Sequence, residues 1–180
     1  MILEDWLSLE DCDTICSAAR SGNSTASQVS DQSRRSIDRD LRRSHEFDLT
    51  PEIEALLGPP IARLPNRVPG TSVVLQYDRF RILRYTTGDL FRPHKDSALG
   101  YSIPRHIQRR ILTVVCALND PSQYGGGDLV LHRCLGSATV STPYKMPVGT
   151  ALYFGSGTLH EVRPVTYGQR FSLVGWGLAP

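Results

Sequence analysis

Two helices are predicted near the start of the chain by the spacing of its apolar residues. Apolar residues recur every three or four positions from Ser8, which opens a capping box, to Gly22. A second helix is predicted from Thr50, which caps a segment with proline in its first turn, to Gly58. The segment that follows, PPIARLPNRVPG, is then expected to be a proline-rich connection.

After residue 70 the pattern changes to short runs of β-branched and aromatic residues separated by glycine and proline turn signals. Because no helical pattern separates the runs, they favour a β-sandwich or barrel over a parallel α/β sheet. We predict a mostly β double-stranded β-helix (jelly roll) with the N-terminal helices packed on one face. The runs are SVVLQYD, FRILRY, RILTVVCALN, GDLVLHR, SATVST, GTALYF, HEVRPVT and RFSLVGWGL.

The domain organisation follows from length and from this change of pattern. A chain of 180 residues is long enough for one core, so we predict one domain over residues 1–180. Residues 1–70 would form a helical and loop support, and residues 71–180 the jelly-roll core. Within the support, Ser21 to Ser44 is rich in Ser, Gln, Asp and Arg. This segment is either a solvated surface or a mobile flap whose arginines meet an anionic substrate.

Composition and charge limit the localisation and the partners that we expect for the protein. The chain is 40% hydrophobic and 21% charged, and no run approaches the roughly 18 apolar residues of a membrane span. Its acidic start does not resemble a signal peptide, so we expect a cytoplasmic protein without a membrane partner. A net charge of +2 is too small to indicate a nucleic-acid partner. The sequence carries no signal for the oligomeric state.

The four cysteines lack the spacing of a metal or redox motif, and we expect reduced thiols. Cys116 and Cys134 lie in apolar strand patterns, which favours packing in the core. The cysteines therefore suggest no chemistry, and the histidines become the more informative residues.

Candidate metal ligands are His94 and Asp96, one residue apart, and His160, which follows a glycine turn and begins a strand 66 residues after His94. Two histidines and one carboxylate on one face of a metal leave positions open, as in non-haem Fe(II) oxygenases. An organic acid held in those positions would need a cation at its far end. Arg170 and Ser172 lie on the next strand, where a guanidinium can bind a carboxylate through two hydrogen bonds. The other histidines, His45, His106 and His132, are assigned to surface, loop or strand-face roles.

Taken in order, the motifs resemble the Fe(II)/2-oxoglutarate-dependent dioxygenase superfamily, in particular its prolyl 4-hydroxylase-like branch, over residues 80–178. The motifs are Tyr85, FRPHKD, GGGDL, FGSGTLHEV and GQRFSLVGW. The resemblance implies Fe(II) on His94, Asp96 and His160, and 2-oxoglutarate and O2 as cosubstrates, with ascorbate as a reductant. Arg170 and Ser172 would then hold the distal carboxylate of 2-oxoglutarate.

The resemblance also implies less specific roles for two aromatic residues. Tyr85 would reach the cosubstrate or substrate, and Trp176 would wall the iron pocket, although packing in the core is an equal alternative for both. Ala117 stands where some hydroxylases of this branch carry a tyrosine. The sequence departs from their pattern at this position, and the departure concerns the contacts with the cosubstrate. An intact Asp96 favours hydroxylation over halogenation.

The implied reaction is hydroxylation of an unactivated C–H bond with release of succinate and CO2. The resemblance suggests a prolyl or other amino-acid side chain, in a small molecule or a peptide. Segments 96–110 and 21–44 would line the groove, and Arg105 and Arg109 would either meet a substrate carboxylate or only solvate a loop.

Several alternatives remain open at this point. A cupin-like small-molecule-binding module, without turnover or with another metal, would share the sandwich and the histidines but would not need Arg170. A nucleic-acid demethylase would need a second arginine on the last strand, and none follows Arg170. An inactive protein that retains the fold, or oxidation that ends in desaturation or ring closure, would fit the same residues.

Overall fold

The computed structural model describes residues 1–31, 34–36, 38–68, 71–99 and 103–180. Its helices are α1 (Leu9–Ser21), α2 (Pro51–Ala62) and α3 (Arg105–Gln108), with a 3-10 turn at Pro121–Gln123. The strands are β1 (Ile2–Leu3), β2 (Thr25–Ala26), β3 (Val29–Asp31), β4 (Arg34–Ser36), β5 (Arg42–Arg43), β6 (His45–Phe47), β7 (Gln76–Tyr77), β8 (Arg81–Thr86), β9 (Leu90–His94), β10 (Arg110–Ala117), β11 (Tyr124–Gly126), β12 (Leu129–Leu135), β13 (Ala138–Tyr144), β14 (Ala151–Gly155), β15 (Leu159–Val162) and β16 (Val165–Leu178).

Two antiparallel sheets form the body of the protein. The larger one, the major sheet, has the order β1-β14-β10-β16-β8-β6-β2, and β7 and β11 also pair with β16. The smaller one, the minor sheet, has the order β13-β12-β15-β9-β5, and β3 pairs with β4 as a separate hairpin. The fold is thus mostly β, as predicted, with the jelly-roll arrangement of two facing sheets.

The major sheet separates two apolar cores because its side chains alternate between its faces. On β10, Val114 and Cys116 pack with the helices, whereas Val115 and Ala117 pack against the minor sheet. On β16, Phe171 belongs to the helix-side core in the same way. The residues of these strands that point away from the helices therefore face the space between the sheets, where the site lies.

The first helix has the predicted ends. The Ser8 side chain accepts a hydrogen bond from the backbone N–H of Asp11, and Gly22 is the C-terminal cap. Its buried face contains Ile15 and Cys16, which pack on the outer side of the major sheet.

The prediction that the second helix stops at Gly58 was wrong. α2 continues through two prolines to Ala62. Leu57 belongs to the helix-side core and Pro60 is also buried, and the Trp6 indole donates a hydrogen bond of 2.8 Å to the Pro60 carbonyl. Tertiary packing of this apolar face therefore outweighs the loss of backbone donors at the prolines.

The first 70 residues contribute strands as well as helices, which the sequence pattern did not predict. β1 pairs with β14, β6 with β8, and β5 with β9. The segment from Ser21 to Ser44, predicted to be a loop or edge segment, contains edge strands of both sheets. Positions 32, 33 and 37 of that segment, and positions 100–102 of the second predicted groove segment, lie outside the described residues.

The cysteines divide differently from the prediction. Cys12, Cys16 and Cys116 are buried, and all four thiols are unpaired. The prediction that Cys134 packs in the core was wrong. Cys134 is exposed because β12 and β13 extend as a hairpin past the space between the sheets. Within the described ranges, no helix has both the length and the apolar character needed to cross a membrane.

Candidate metal centre and cosubstrate pocket

Two neighbouring strands of the minor sheet bring the three predicted metal ligands together. His94 ends β9 and is the cross-strand partner of His160 on β15, while Asp96 follows β9 by two residues. The Asp96 carboxylate oxygens lie 3.6 Å from His94 Nε2 and 3.5 Å from His160 Nε2. One ligand atom from each of the three residues lies within 4.8 Å of the others.

The backbone decides which ring nitrogen of each histidine faces Asp96 as an acceptor. His94 Nδ1 lies 2.8 Å from the Arg92 carbonyl, and His160 Nδ1 lies 2.9 Å from the Thr158 carbonyl. Because a carbonyl can only accept, each Nδ1 carries the hydrogen and each neutral ring turns an Nε2 lone pair toward the carboxylate. Three acceptors that converge without a hydrogen between them fit a bound cation. His94, Asp96 and His160 are therefore the residues that would hold a metal ion.

Asp96 is held by both its backbone and its side chain. Its N–H donates to the Ser156 carbonyl at 3.0 Å, and the Thr113 hydroxyl donates to Oδ2 at 2.8 Å. Burial by itself would raise the pKa of Asp96, but the neighbouring imidazoles of His94 and His160 and the Thr113 hydroxyl together hold it well below its usual value. Asp96 is therefore ionised at neutral pH, which is the form that can coordinate a cation.

Aromatic rings fix the two histidines. The Phe91 ring stacks on His94 with a centroid distance of 3.4 Å, and Phe154 meets His160 edge-on at 4.9 Å. Burial lowers the pKa of His160 despite the opposing effect of Asp96, which favours the neutral ring that can coordinate a metal.

A cavity of about 450 Å³ adjoins the triad between the sheets and is lined also by Arg170, Ser172 and Tyr85. Arg170 is only 4% exposed, its Nη1 donates to Ser172 Oγ at 3.1 Å, and its Cζ lies 5.4 Å from the centre of the Tyr85 ring. Gly127 has φ of +66°, and a Cβ there would lie 3.1 Å from Arg170 Cδ. Glycine thus lets this turn approach the arginine closely.

Arg170 is a buried cation, and none of the carboxylates among the described residues forms an ion pair with it. Its polar neighbours are the Ser172 hydroxyl and the phenol of Tyr124, whose pKa is raised by burial although the guanidinium opposes that rise. A buried charge is costly unless an opposite charge accompanies it, so this end of the cavity is suited to an anion.

Of the three residues predicted to line the substrate pocket, one lines the cavity and two do not. Trp176 lines the cavity, and the Arg110 guanidinium lies 3.7 Å above its ring. Arg105 is exposed, and Arg109 donates to the Ala179 carbonyl at 2.6 Å. Neither Arg105 nor Arg109 is among the residues that line the cavity, and their contact with a substrate stays a prediction.

Sequence reasoning missed several residues of the site. Thr113 had a usable signal, since it is a polar residue at an inward position of an otherwise apolar strand. His106, assigned by default to a surface or loop, lines the cavity. Arg42 also lines it, but no local pattern indicates that β5 pairs with β9.

Comparison with known proteins decides the family. Residues 80–177 match the family model of the 2OG-Fe(II) oxygenase superfamily. The chain belongs to this superfamily. Members of the superfamily use Fe(II), 2-oxoglutarate and O2. The triad of His94, Asp96 and His160 fits such an iron site.

Curated relatives that are similar to this chain include PKHD-type hydroxylases. One from Maricaulis maris is 35% identical over 98 residues, which are 54% of this chain and 41% of the relative. One from Synechococcus elongatus is 40% identical over 93 residues, which are 52% of this chain and 40% of the relative. The match thus spans about two fifths of the length of these relatives.

Solved structures support the fold of the oxygenase over its whole length. A prolyl-4-hydroxylase from Pseudomonas putida gives a TM-score of 0.68 at 16% identity, covering 100% of this chain and 92% of that one. A prolyl hydroxylase from Trichoplax adhaerens, in complex with a hypoxia inducible factor peptide fragment, gives a TM-score of 0.72 at 18% identity. The match covers 99% of this chain and 82% of that one. The N-terminal strands and helices therefore belong to the shared architecture.

Replacing Thr113 with valine should weaken Fe(II) binding about 10- to 100-fold, because Asp96 loses the hydroxyl that orients it while the side-chain shape is kept. Anaerobic calorimetric titration with Fe(II) measures the effect. Thr142→Val, on the exposed strand β13, is the matched control and should bind Fe(II) as the unmodified protein does. Equal affinity for Thr113→Val and the control would contradict the role of Thr113.

Proposed function

We propose that the protein is an Fe(II)- and 2-oxoglutarate-dependent hydroxylase. The observation that carries the proposal is the pairing, in one cavity, of a triad of acceptors with a buried arginine that has no carboxylate partner in the described part of the chain. His94, Asp96 and His160 would hold Fe(II), which with 2-oxoglutarate and O2 supplies hydroxylation of a C–H bond and releases succinate and CO2. Ascorbate would serve as a reductant.

The residues around the metal have distinct tasks in this proposal. Arg170 binds the distal carboxylate of 2-oxoglutarate through its planar fork, and the Ser172 hydroxyl, which accepts from Arg170, donates to the same carboxylate. Tyr85 is 1% exposed and forms a wall beside Arg170. Apolar residues line the cavity between these groups and exclude water, which strengthens the charge interactions. They are Leu83, Val115, Leu129, Val162 and Val174.

The proposed substrate is a prolyl or other amino-acid side chain, in a small molecule or a peptide. Solved neighbours of the same fold include prolyl hydroxylases, one of them bound to a peptide fragment. The cavity of about 450 Å³ is within the range of small-molecule sites. Catalysis would use one domain over residues 1–180, since strands from the first 70 residues complete both sheets.

The test is anaerobic addition of Fe(II) and then 2-oxoglutarate to the metal-free protein. We expect a weak visible charge-transfer band from the chelate, followed by formation of succinate after O2 is admitted. If the folded protein gives no band, the hydroxylase proposal fails and a binding module of cupin type becomes the better interpretation. Such a module would leave the burial of Arg170 without a reason.

A further inference from the structure

The carboxylates that line the cavity are largely committed to other partners. Asp96 belongs to the triad, and Glu46 forms an ion pair with Arg81 at 2.5 Å. Among the described lining residues, only the exposed Asp48 is a further carboxylate. The cavity itself therefore supplies little negative charge to a substrate.

The lining cations are more numerous. In the proposed complex, the two positive charges of Fe(II) and that of Arg170 balance Asp96 and the two carboxylates of 2-oxoglutarate. Beyond this balanced set, Arg42 and Lys95 line the same cavity. Two cations against one exposed carboxylate favour a substrate that carries negative charge.

Arg42 is the cation whose position is best supported by its surroundings. Its Nε donates to Ser44 Oγ at 3.0 Å, and the Ser44 hydroxyl donates to Ser27 Oγ at 2.8 Å. Both serines are buried, and Arg42 Nη1 also donates to the Gln28 carbonyl at 3.3 Å. The side chain is thus held in place before a ligand arrives, which lowers the entropy cost of binding.

The register of the minor sheet places Arg42 beside the metal ligands. Arg42 is the cross-strand partner of Phe91, and its guanidinium carbon lies 4.7 Å from the centre of that ring. The same ring stacks on His94. One aromatic ring therefore separates the guanidinium from a residue of the triad. The neighbouring Arg43 is exposed and does not line the cavity.

We propose that Arg42 binds a carboxylate of the substrate and thereby positions the reacting C–H bond over the metal. The described hydrogen bonds occupy two of its five N–H donors, and the others suit the planar geometry of a carboxylate. The substrate class is then a free or C-terminal amino acid, or a related small acid, and not a neutral internal peptide segment. The inference rests on the hydroxylase function, but Arg42 lies outside residues 80–177 that match the family.

The experiment compares pairs of probes that differ only in the carboxylate. N-Acetyl derivatives of the common amino acids, each beside its carboxamide, are titrated calorimetrically into protein that holds Fe(II) and 2-oxoglutarate without O2. We expect at least one acid to bind about 10-fold or more tightly than its amide, as a charge-assisted pair of hydrogen bonds requires. Arg42→Ala and Arg42→Gln should reduce that acid to the affinity of its amide, whereas Arg43→Ala should not change it.

Each other outcome counts against the proposal. Equal binding of acids and amides, unchanged acid binding in Arg42→Gln, or no binding by any acid in the panel overturns it. Inorganic phosphate is included as a second oxyanion, and binding as tight as that of the best acid would overturn the assignment to a carboxylate.

Failure of the hydroxylase function is distinguished by the charge-transfer band, which is recorded before each titration. Arg42→Gln should retain the band, since Arg42 is assigned to the substrate alone. If the unmodified protein gives no band, titration of the metal-free protein with the same acids still tests Arg42.

Discussion

His160→Ala is expected to weaken Fe(II) binding by more than about 100-fold and to abolish succinate formation. Loss of an outer partner of a metal ligand costs about 10- to 100-fold in affinity, so loss of one of three ligands must cost more. His160 is also buried and meets the Phe154 ring edge-on at 4.9 Å, so its imidazole is held in one position beside Asp96. Anaerobic titration with Fe(II), followed by a succinate assay in O2, measures both effects.

His132→Ala is the matched control for this change. His132 lies on β12, next to β15, and is the cross-strand partner of Leu159, one position before His160. Its side chain therefore points to the opposite face of the minor sheet. Asp96→Asn serves as a second variant, since it keeps the shape of the side chain and removes the negative charge. Full Fe(II) affinity and turnover in folded His160→Ala would rule out the proposed metal site.

Arg170→Gln is expected to raise the dissociation constant of 2-oxoglutarate about 10- to 100-fold while Fe(II) affinity stays nearly unchanged. A hydrogen bond between charged groups contributes about 1.5–3 kcal/mol, and each 1.4 kcal/mol is a factor of ten. Arg170→Lys should retain part of the affinity, because it keeps the charge but loses the planar fork. The intensity of the charge-transfer band, followed during titration with 2-oxoglutarate, gives the constants.

A shorter acid separates the role of the guanidinium from general damage to the pocket. 2-Oxobutanoate has the metal-chelating groups of 2-oxoglutarate but lacks the distal carboxylate, so the unmodified protein should prefer 2-oxoglutarate and Arg170→Gln should lose that preference. Arg163→Gln changes an exposed arginine between β15 and β16 and is the control. An unchanged preference in Arg170→Gln would remove Arg170 from the cosubstrate site.

Local signals were sufficient for a large part of the fold. Caps and spacing predicted the ends of α1, and runs of β-branched and aromatic residues between turn signals predicted most of the strands after residue 70. The order of the motifs also indicated the family and a compact set of candidate ligands. His94, Asp96 and His160 were named from spacing, and the structure brings their ligand atoms within 4.8 Å.

Other features depended on contacts between distant parts of the chain. α2 passes Gly58 because Leu57 packs in an apolar core provided by other elements and Pro60 is buried as well. Cys134 is exposed because its strand extends beyond the facing sheet, which no pattern within β12 reveals.

The same distinction applies to the arginines of the groove. The sequence by itself determined that arginines occur in both predicted groove segments, but it could not tell which of them reach the cavity. Arg42 does so because β5 joins the edge of β9, whereas Arg105 and Arg109 lie outside the lining. Helix caps and strand alternation act over a few residues and are readable in the sequence. Strand pairing joins residues almost 50 positions apart, as Arg42 and Phe91 are, and only the tertiary structure decides it.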